Sequence, residues 1–295
     1  HTVSGLYGNT EIMYFGFFSY VGKEGTVKNV RLTNSYLETI GDSGGAIGSI
    51  AGRLEGNIHT VYSDAIIHYS SSMCGGIVGY KESSDVSKIT NCWYDGIVIV
   101  GSAAKYCGGI MGRAYNGTLD MSSCLFSGQM IFEGAKHSVL SGGFIGGIEK
   151  GTVSVNDCLN SGEFILDEAE EMTGVGRVFG YVWGSSNTTV TIKDTYFTNE
   201  GYSATYHYYC DGDQTRVTGS AELRDRDDIL GYNGYQTMAL DFEQYWTVVV
   251  DEDSTPILKS FVKEVPSVEG FEKIIDTSWY SADENRYVLR DAKDL

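Results

Sequence analysis

Three kinds of side chain in this sequence are spaced so that they could do chemistry: carboxylates, cysteines and aromatics. Asp157 and Asp194 fall at equivalent points of two consecutive repeats, with Asp120 a few residues earlier in the preceding one. Paired carboxylates are what glycoside cleavage needs, one as acid and one as base or nucleophile. The same column holds Asn29, His59, Asn91 and Ser123, so turn polarity is its ordinary use. Two acidic clusters, Asp211-Gly212-Asp213 and Asp251-Glu252-Asp253, make calcium a candidate cofactor, although neither has the full spacing of a calcium loop. No other cofactor is expected. Zinc-peptidase chemistry would need an HExxH helix, and none is present; His59, His68, His137 and His207 are scattered. There is also no GxSxG elbow for a serine nucleophile and no CxxC for a metal. No catalytic residue and no metal ligand is assigned.

The cysteines read as structural. Cys92, Cys124 and Cys158 share one column, and Cys74 and Cys107 share another. Stacked neighbours would stand about 4.8 Å apart with parallel side chains, and Cβ atoms at that separation are too distant for a normal bridge. Buried free thiols, acting as small hydrophobes, are expected. Among the aromatics, Tyr20, Tyr80 and Tyr181 form a column, and Trp183 follows two residues after Tyr181. These four are the candidate ligand-binding residues, because aromatic faces stack on sugar rings; plain packing is the alternative. Tyr115, Tyr206, Tyr208 and Tyr209 are further candidates.

The element that must position these residues is a repeat. Six segments align on a short first strand: Phe15–Ser19, Gly44–Gly48, Gly75–Gly79, Gly108–Gly112, Gly142–Gly146 and Gly176–Gly180. Their second positions are Gly16, Gly45, Gly76, Gly109, Gly143 and Arg177, separated by 29, 31, 33, 34 and 34 residues. A second strand carries the column Val27, Ile89, Met121, Val155 and Ile192, with the second copy out of register. Three residues on come Val30, Thr60, Cys92, Cys124, Cys158 and Thr195. The next column, Asn34, Asp64, Gly96, Gly128, Gly162 and Asn199, holds only residue types that tolerate a left-handed backbone, and predicts a corner repeated in every coil. A third strand follows, with Leu37, Ile67, Ile99, Ile131, Ile165 and Tyr202 in register. Two adjacent columns of the first strand are both apolar: Phe17, Ala46, Ile77, Ile110, Phe144 and Val178, then Phe18, Ile47, Val78, Met111, Ile145 and Phe179. Neighbours on a strand point to opposite faces. Either the flanking glycines break the alternation, or one column faces out and docks another domain.

Three short strands per unit of about 32 residues is the arithmetic of a solenoid coil. The fold class expected is all-β: a parallel β-solenoid, or β-helix, of about six coils with a small C-terminal cap. Its rod would be on the order of 30 Å long at the stacking distance of parallel strands. The domain reading is solenoid over 1–206, a capping segment over the open end at 207–261, a linker at 262–270, and the start of a further module at 271–295. The acidic run Asp167–Glu171 reads as a solvated loop.

Composition supports this. The chain of 295 residues has 38 Gly and 2 Pro, which suits strands joined by tight turns. A net charge of −18 opposes binding to nucleic acid or to anionic lipid. No apolar run reaches the roughly 18 residues needed for a spanning helix, so membrane insertion is not expected. The chain begins at His1 and reads as a processed or excised piece.

The Gly-Gly-Ile-Val-Gly pattern at 75–79 and its copies resemble the GLUG motif of bacterial secreted and surface proteins, among them adhesins and immunoglobulin A proteases of gut and mucosal bacteria. The opening His1–Tyr7, the segment with Trp246 and Pro256-Ile257-Leu258, and the later Trp279-Tyr280 with Tyr287–Leu289 are similar to the segments that open and close such arrays. The resemblance implies an accessory domain, secreted or at the cell surface, with proteolytic activity located elsewhere in the parent protein. The expectation is a non-catalytic spacer or adhesion module. Its partners would be other domains of the same parent chain, and a host glycan or glycoprotein. The alternatives are a carbohydrate-active β-helix of lyase or glycosidase type, and a domain that binds a host glycoprotein such as mucin or immunoglobulin.

Overall fold

The structure is a computed structural model, and it describes residues 1–39, 44–69, 72–101, 104–133, 139–165, 174–184, 186–199, 214–249 and 254–262. The chain is 57% strand, wound into a parallel β-solenoid of about 5 turns rather than the six coils expected. Three of its sheets each stack six strands, so six strands make five steps, about 24 Å of rod.

Each coil has four faces. In the third coil these are Met73–Gly75 (sheet I), Val78–Lys81 (sheet II), Val86–Tyr94 (sheet III) and Ile97–Val100 (sheet IV). The coils stack on one another in parallel and in register, for example Cys74 on Cys107 and Val98 on Met130, and among the described residues only the added strand Val217–Leu223 pairs with a register shift, between Ile192 and Thr195. The core is built from inward columns such as Ile58, Ile89, Met121 and Val155, each buried. The second copy therefore does not slip in that column, because Ile58 occupies it.

The glycines explain why one face became two. Sheets I and II fold sharply against each other, and there is no room for a side chain in the bend. A Cβ on Gly75 would lie 2.0 Å from the carbonyl oxygen of Val78, and one on Gly112 would lie 2.5 Å from that of Gly79. Gly76, Gly109 and Gly143 need their missing side chain for a related reason. A Cβ on Gly76 would meet the Gly109 carbonyl oxygen at 2.1 Å and the Tyr94 ring at 2.3 Å. The apolar pair between these glycines is wholly interior: Ile77, Val78, Ile110, Met111, Phe144, Ile145, Val178 and Phe179 are all fully buried. The bend breaks the alternation, and no outward docking column exists there.

Three expected registers are corrected. In the second copy, Gly48-Ser49-Ile50-Ala51-Gly52 is equivalent to Gly75–Gly79, four residues later than 44–48, since Gly48 pairs with Gly75 and Ala51 with Val78. In the third strand the inward column is Leu37, Ile67, Val98, Met130 and Phe164; Ile99, Ile131 and Ile165 face out. In the corner column, only Asn34 is left-handed, with φ 49°; Asp64, Gly96, Gly128, Gly162 and Asn199 are not. Asp64 aligns with Asp95, one place before Gly96, so the expected column mixed two positions. The glycines there relieve crowding instead: a Cβ on Gly128 would sit 2.0 Å from the Gly96 carbonyl oxygen, and one on Gly162 would sit 2.4 Å from the Phe126 ring.

The true left-handed corner is the column Asn29, Thr60, Asn91, Ser123, Asp157 and Asp194, with φ between 46° and 56°. It includes the two aspartates singled out from sequence, and Thr60 rather than His59 occupies the second copy. Cys92, Cys124 and Cys158 follow it as a ladder of buried free thiols, with Cys74 and Cys107 forming another. Burial pushes the thiols of Cys74, Cys92 and Cys158 well up, so they stay protonated and inert. Cys210 lies outside the described residues.

Beyond the last coil, Val217–Leu223 adds one further parallel strand to sheet III. The chain then turns back as a strap. It contains a short helix, Gly231–Thr237, and an antiparallel pair of Trp246–Thr247 with Ile257–Leu258. The strap lies on the outer face of sheet III, not over the open end. Its Ile229, Leu240, Phe242, Trp246 and Leu258 pack with Tyr62, Leu125 and Leu159 as a second core. The Trp246 indole N–H donates to Asn91 Oδ1 at 3.0 Å, and Arg31 reaches the Phe261 carbonyl oxygen at 3.4 Å. Residues 263–295, and with them most of the expected linker and the further module, lie outside the described residues.

A candidate binding crease

Folding sheets I and II against each other brings their outward residues face to face. From sheet I come Tyr14, Ala46, Met73 and Tyr106, one rung after another. From sheet II comes a ladder read directly from the register: Tyr20, Arg53, Tyr80, Arg113, Gly147 and Tyr181. At the bottom of the crease Ala46, Met73 and Tyr80 form a small apolar cluster, with Tyr14, Tyr106 and Tyr115 packed on it. Tyr80 is only 6% exposed although it points away from the solenoid core. Burial, and then the nearby Glu82 carboxylate, push its hydroxyl up to about 12, and burial also raises that of Tyr106.

The aromatic rings are spaced by cations. Arg53 lies 5.6 Å from the rings of both Tyr14 and Tyr20. Arg113 lies 4.7 Å from Tyr106 and 4.8 Å from Tyr115, and Lys150 lies 5.1 Å from Tyr115. Tyr14 stacks on Tyr80 at 6.4 Å, while Trp183 bridges Tyr106 at 5.7 Å and Tyr181 at 4.1 Å. Each arginine is held in place by carboxylates: Arg53 by Glu55 at 2.7 Å and Glu82 at 3.5 Å, and Arg113 by Glu149. Tyr20 donates to Glu55, which raises the phenol and lowers the carboxylate. Contacts of this kind are worth about 0.5–2 kcal/mol each, and they fix the rings as a rigid surface.

Gly147 shows how sequence sets this geometry. It occupies the ladder position of Arg113 and Tyr181, and a Cβ there would lie 2.6 Å from the Tyr106 ring. The missing side chain is the space into which Tyr106 lies.

The four aromatics proposed from sequence are therefore all on one face. Tyr20, Tyr80 and Tyr181 are in one ladder, with Trp183 beside Tyr181. Tyr115 joins them; Tyr206, Tyr208 and Tyr209 lie outside the described residues. Sequence reasoning missed Arg53 and Arg113, which alternate with the tyrosines, and Tyr14 and Tyr106 on the facing sheet. The four-residue slip in the second copy hid Arg53. Aligning Tyr80 with Tyr20 through an intermediate Arg would have exposed the alternation.

The carboxylates do not assemble into a comparable site. Asp120 lies within a strand and accepts from Ser154 Oγ. Asp157 and Asp194 occupy successive left-handed corners; burial first, then Asp194, raises the Asp157 carboxyl, and Lys193 pairs with Asp194 at 3.2 Å. Among the described residues no group of three or more His, Cys, Asp or Glu side chains could hold a metal ion. Asp211–Asp213 and Asp251–Asp253, the calcium candidates, lie outside them. No helix among the described residues is long and apolar enough to cross a membrane, which leaves β-barrels unaddressed.

No family model matches this chain, and no curated protein does. Among solved structures it is similar to one described as a "putative immunoglobulin A1 protease" from Bacteroides ovatus, at 19% identity and a TM-score of 0.59. That likeness covers 88% of this chain and 75% of the other, and at this identity it speaks for the fold.

Proposed function

We propose that this chain is a non-catalytic recognition module of a larger secreted or surface-attached bacterial protein, and that the crease binds a carbohydrate chain. The observation that carries this is the ladder Tyr20, Arg53, Tyr80, Arg113 with Tyr14 and Tyr106 facing it and Tyr115 and Trp183 beside it. Rigid aromatic faces stack on the apolar faces of sugar rings, and fixed arginine–carboxylate pairs offer donors and acceptors side by side for vicinal hydroxyls. A neutral or mixed-charge chain fits better than a polyanion, because each arginine already has its carboxylate.

The GLUG-like glycine pattern and the fold shared with a protein named for immunoglobulin A1 cleavage both support a part of such a parent, with host glycan or glycoprotein as the ligand source. The dispersed carboxylates favour recognition over catalysis. The second reading is a carbohydrate-active domain, favoured by the raised Asp157 carboxyl beside Asp194.

The test is retention of the purified chain on immobilised polysaccharides, mucin and immunoglobulin A, with and without calcium, with new reducing ends read in parallel. Recognition predicts retention without cleavage, lost in Tyr106→Ala and Trp183→Ala. Reducing ends that vanish in Asp157→Asn would support the second reading. Retention unchanged in both aromatic variants would overturn the crease.

A further inference from the structure

A second concave feature lies on another flank, where the strap crosses the corner between sheets III and IV. It encloses about 300 Å³ and is lined by Trp93, Asp95, Ser127 and Ser161 from three successive coils and by Arg226, Ser254, Thr255 and Ile257 from the strap. The wall is organised. The Trp93 indole N–H donates to Ser127 Oγ at 2.7 Å, and that hydroxyl donates to Asp95 Oδ1 at 2.6 Å. Trp93 is fixed edge-on against Tyr62 at 4.7 Å. Two hydroxyls have no such arrangement: Ser161 Oγ and Ser254 Oγ are buried without a hydrogen-bond partner among the described residues. Ser161 as a whole is only 6% exposed. A buried hydroxyl left unpaired costs about 1–3 kcal/mol, so a group that supplies its partner gains that much.

We infer that this pocket is a binding site for one neutral sugar unit. Asp95 disfavours an anion and Arg226 disfavours a cation, so a charged ligand meets a like charge in either case. An apolar ligand would leave the two serines unpaired. A pyranose meets the wall on every count: an apolar ring face for Trp93, hydroxyls that donate to the outer oxygen of Asp95, and further hydroxyls for Ser161 and Ser254. The volume suits a free monosaccharide or the terminal unit of a longer chain. The site is separate from the crease and does not depend on it.

The test is isothermal titration of the whole chain with glucose, galactose, mannose, fucose and N-acetylglucosamine, then with oligosaccharides ending in any that bind. One or more should bind, and Asp95→Asn and Ser161→Ala should each weaken it at least tenfold. Tyr106→Ala, in the crease, should leave it unchanged. Tighter binding of the oligosaccharide would identify a chain end as the ligand, and equal binding a free sugar. Circular dichroism checks that each variant is folded, and the exposed Asp95 provides the variant least able to disturb the fold. Silence across the panel, or binding that neither variant weakens, would overturn the inference.

Discussion

At the scale of single residues, this molecule is governed by where a side chain is forbidden and where the backbone turns left. Thr60 is the poorest fit in the left-handed corner, because a β-branched residue at φ 52° is strained and its buried Oγ1 has no partner among the described residues. Left-handed backbone costs an L-residue about 1–2 kcal/mol, and glycine's extra unfolded-state freedom costs about 0.5–1 kcal/mol. Thr60→Gly should therefore stabilise the chain by about 0.5–1 kcal/mol, read as a higher urea midpoint with an unchanged slope. Gly147 has the opposite character. Its Cβ would press on the Tyr106 side chain, not on backbone. Gly147→Ala should shift Tyr106 and weaken carbohydrate retention severalfold while leaving the urea midpoint nearly unchanged; a large loss of stability with binding intact would refute that assignment.

At the scale of elements, sheet III does two jobs. Its inward residues fill the solenoid, while its outward column of Tyr62, Trp93, Leu125, Leu159 and Tyr196 receives the strap. Trp246 is fully buried and hydrogen-bonded to Asn91, 155 residues earlier in the chain. Truncating a buried Trp to Ala costs about 3–5 kcal/mol. Trp246→Ala should release the strap before the coils unfold, splitting denaturation into two steps, with hydrogen exchange rising first over 226–261. A single cooperative loss would show that strap and solenoid form one folding unit. These elements also mark what sequence could reveal. The central copies were legible because Gly75–Gly79, Gly108–Gly112 and Gly142–Gly146 repeat the same steric need. The second copy misled because Gly44-Gly45-Ala46-Ile47-Gly48 imitates the bend four residues before the real one. The third strand misled because isoleucine fills both its faces, so alternation carried no signal. The strap's place was written in the outward column from Trp93 to Tyr196, but an apolar outward column names no occupant.

At the scale of the whole molecule, the solenoid is a rigid ruler. Its rungs recur at about 4.8 Å, so the crease presents aromatic and arginine groups at fixed intervals along the rod. A ligand that runs along the axis meets several rungs at once, and gains from each without ordering the protein. The strap braces the flank formed by sheet III, away from the crease. The most direct measurement is a hydrogen-exchange footprint of the whole chain with whichever polysaccharide it retains. The account predicts protection over Met73–Lys81 and Tyr106–Tyr115, the strands and rings that line the crease, and little change along sheet IV. Protection confined to sheet IV or to the strap, with the crease unchanged, would contradict it.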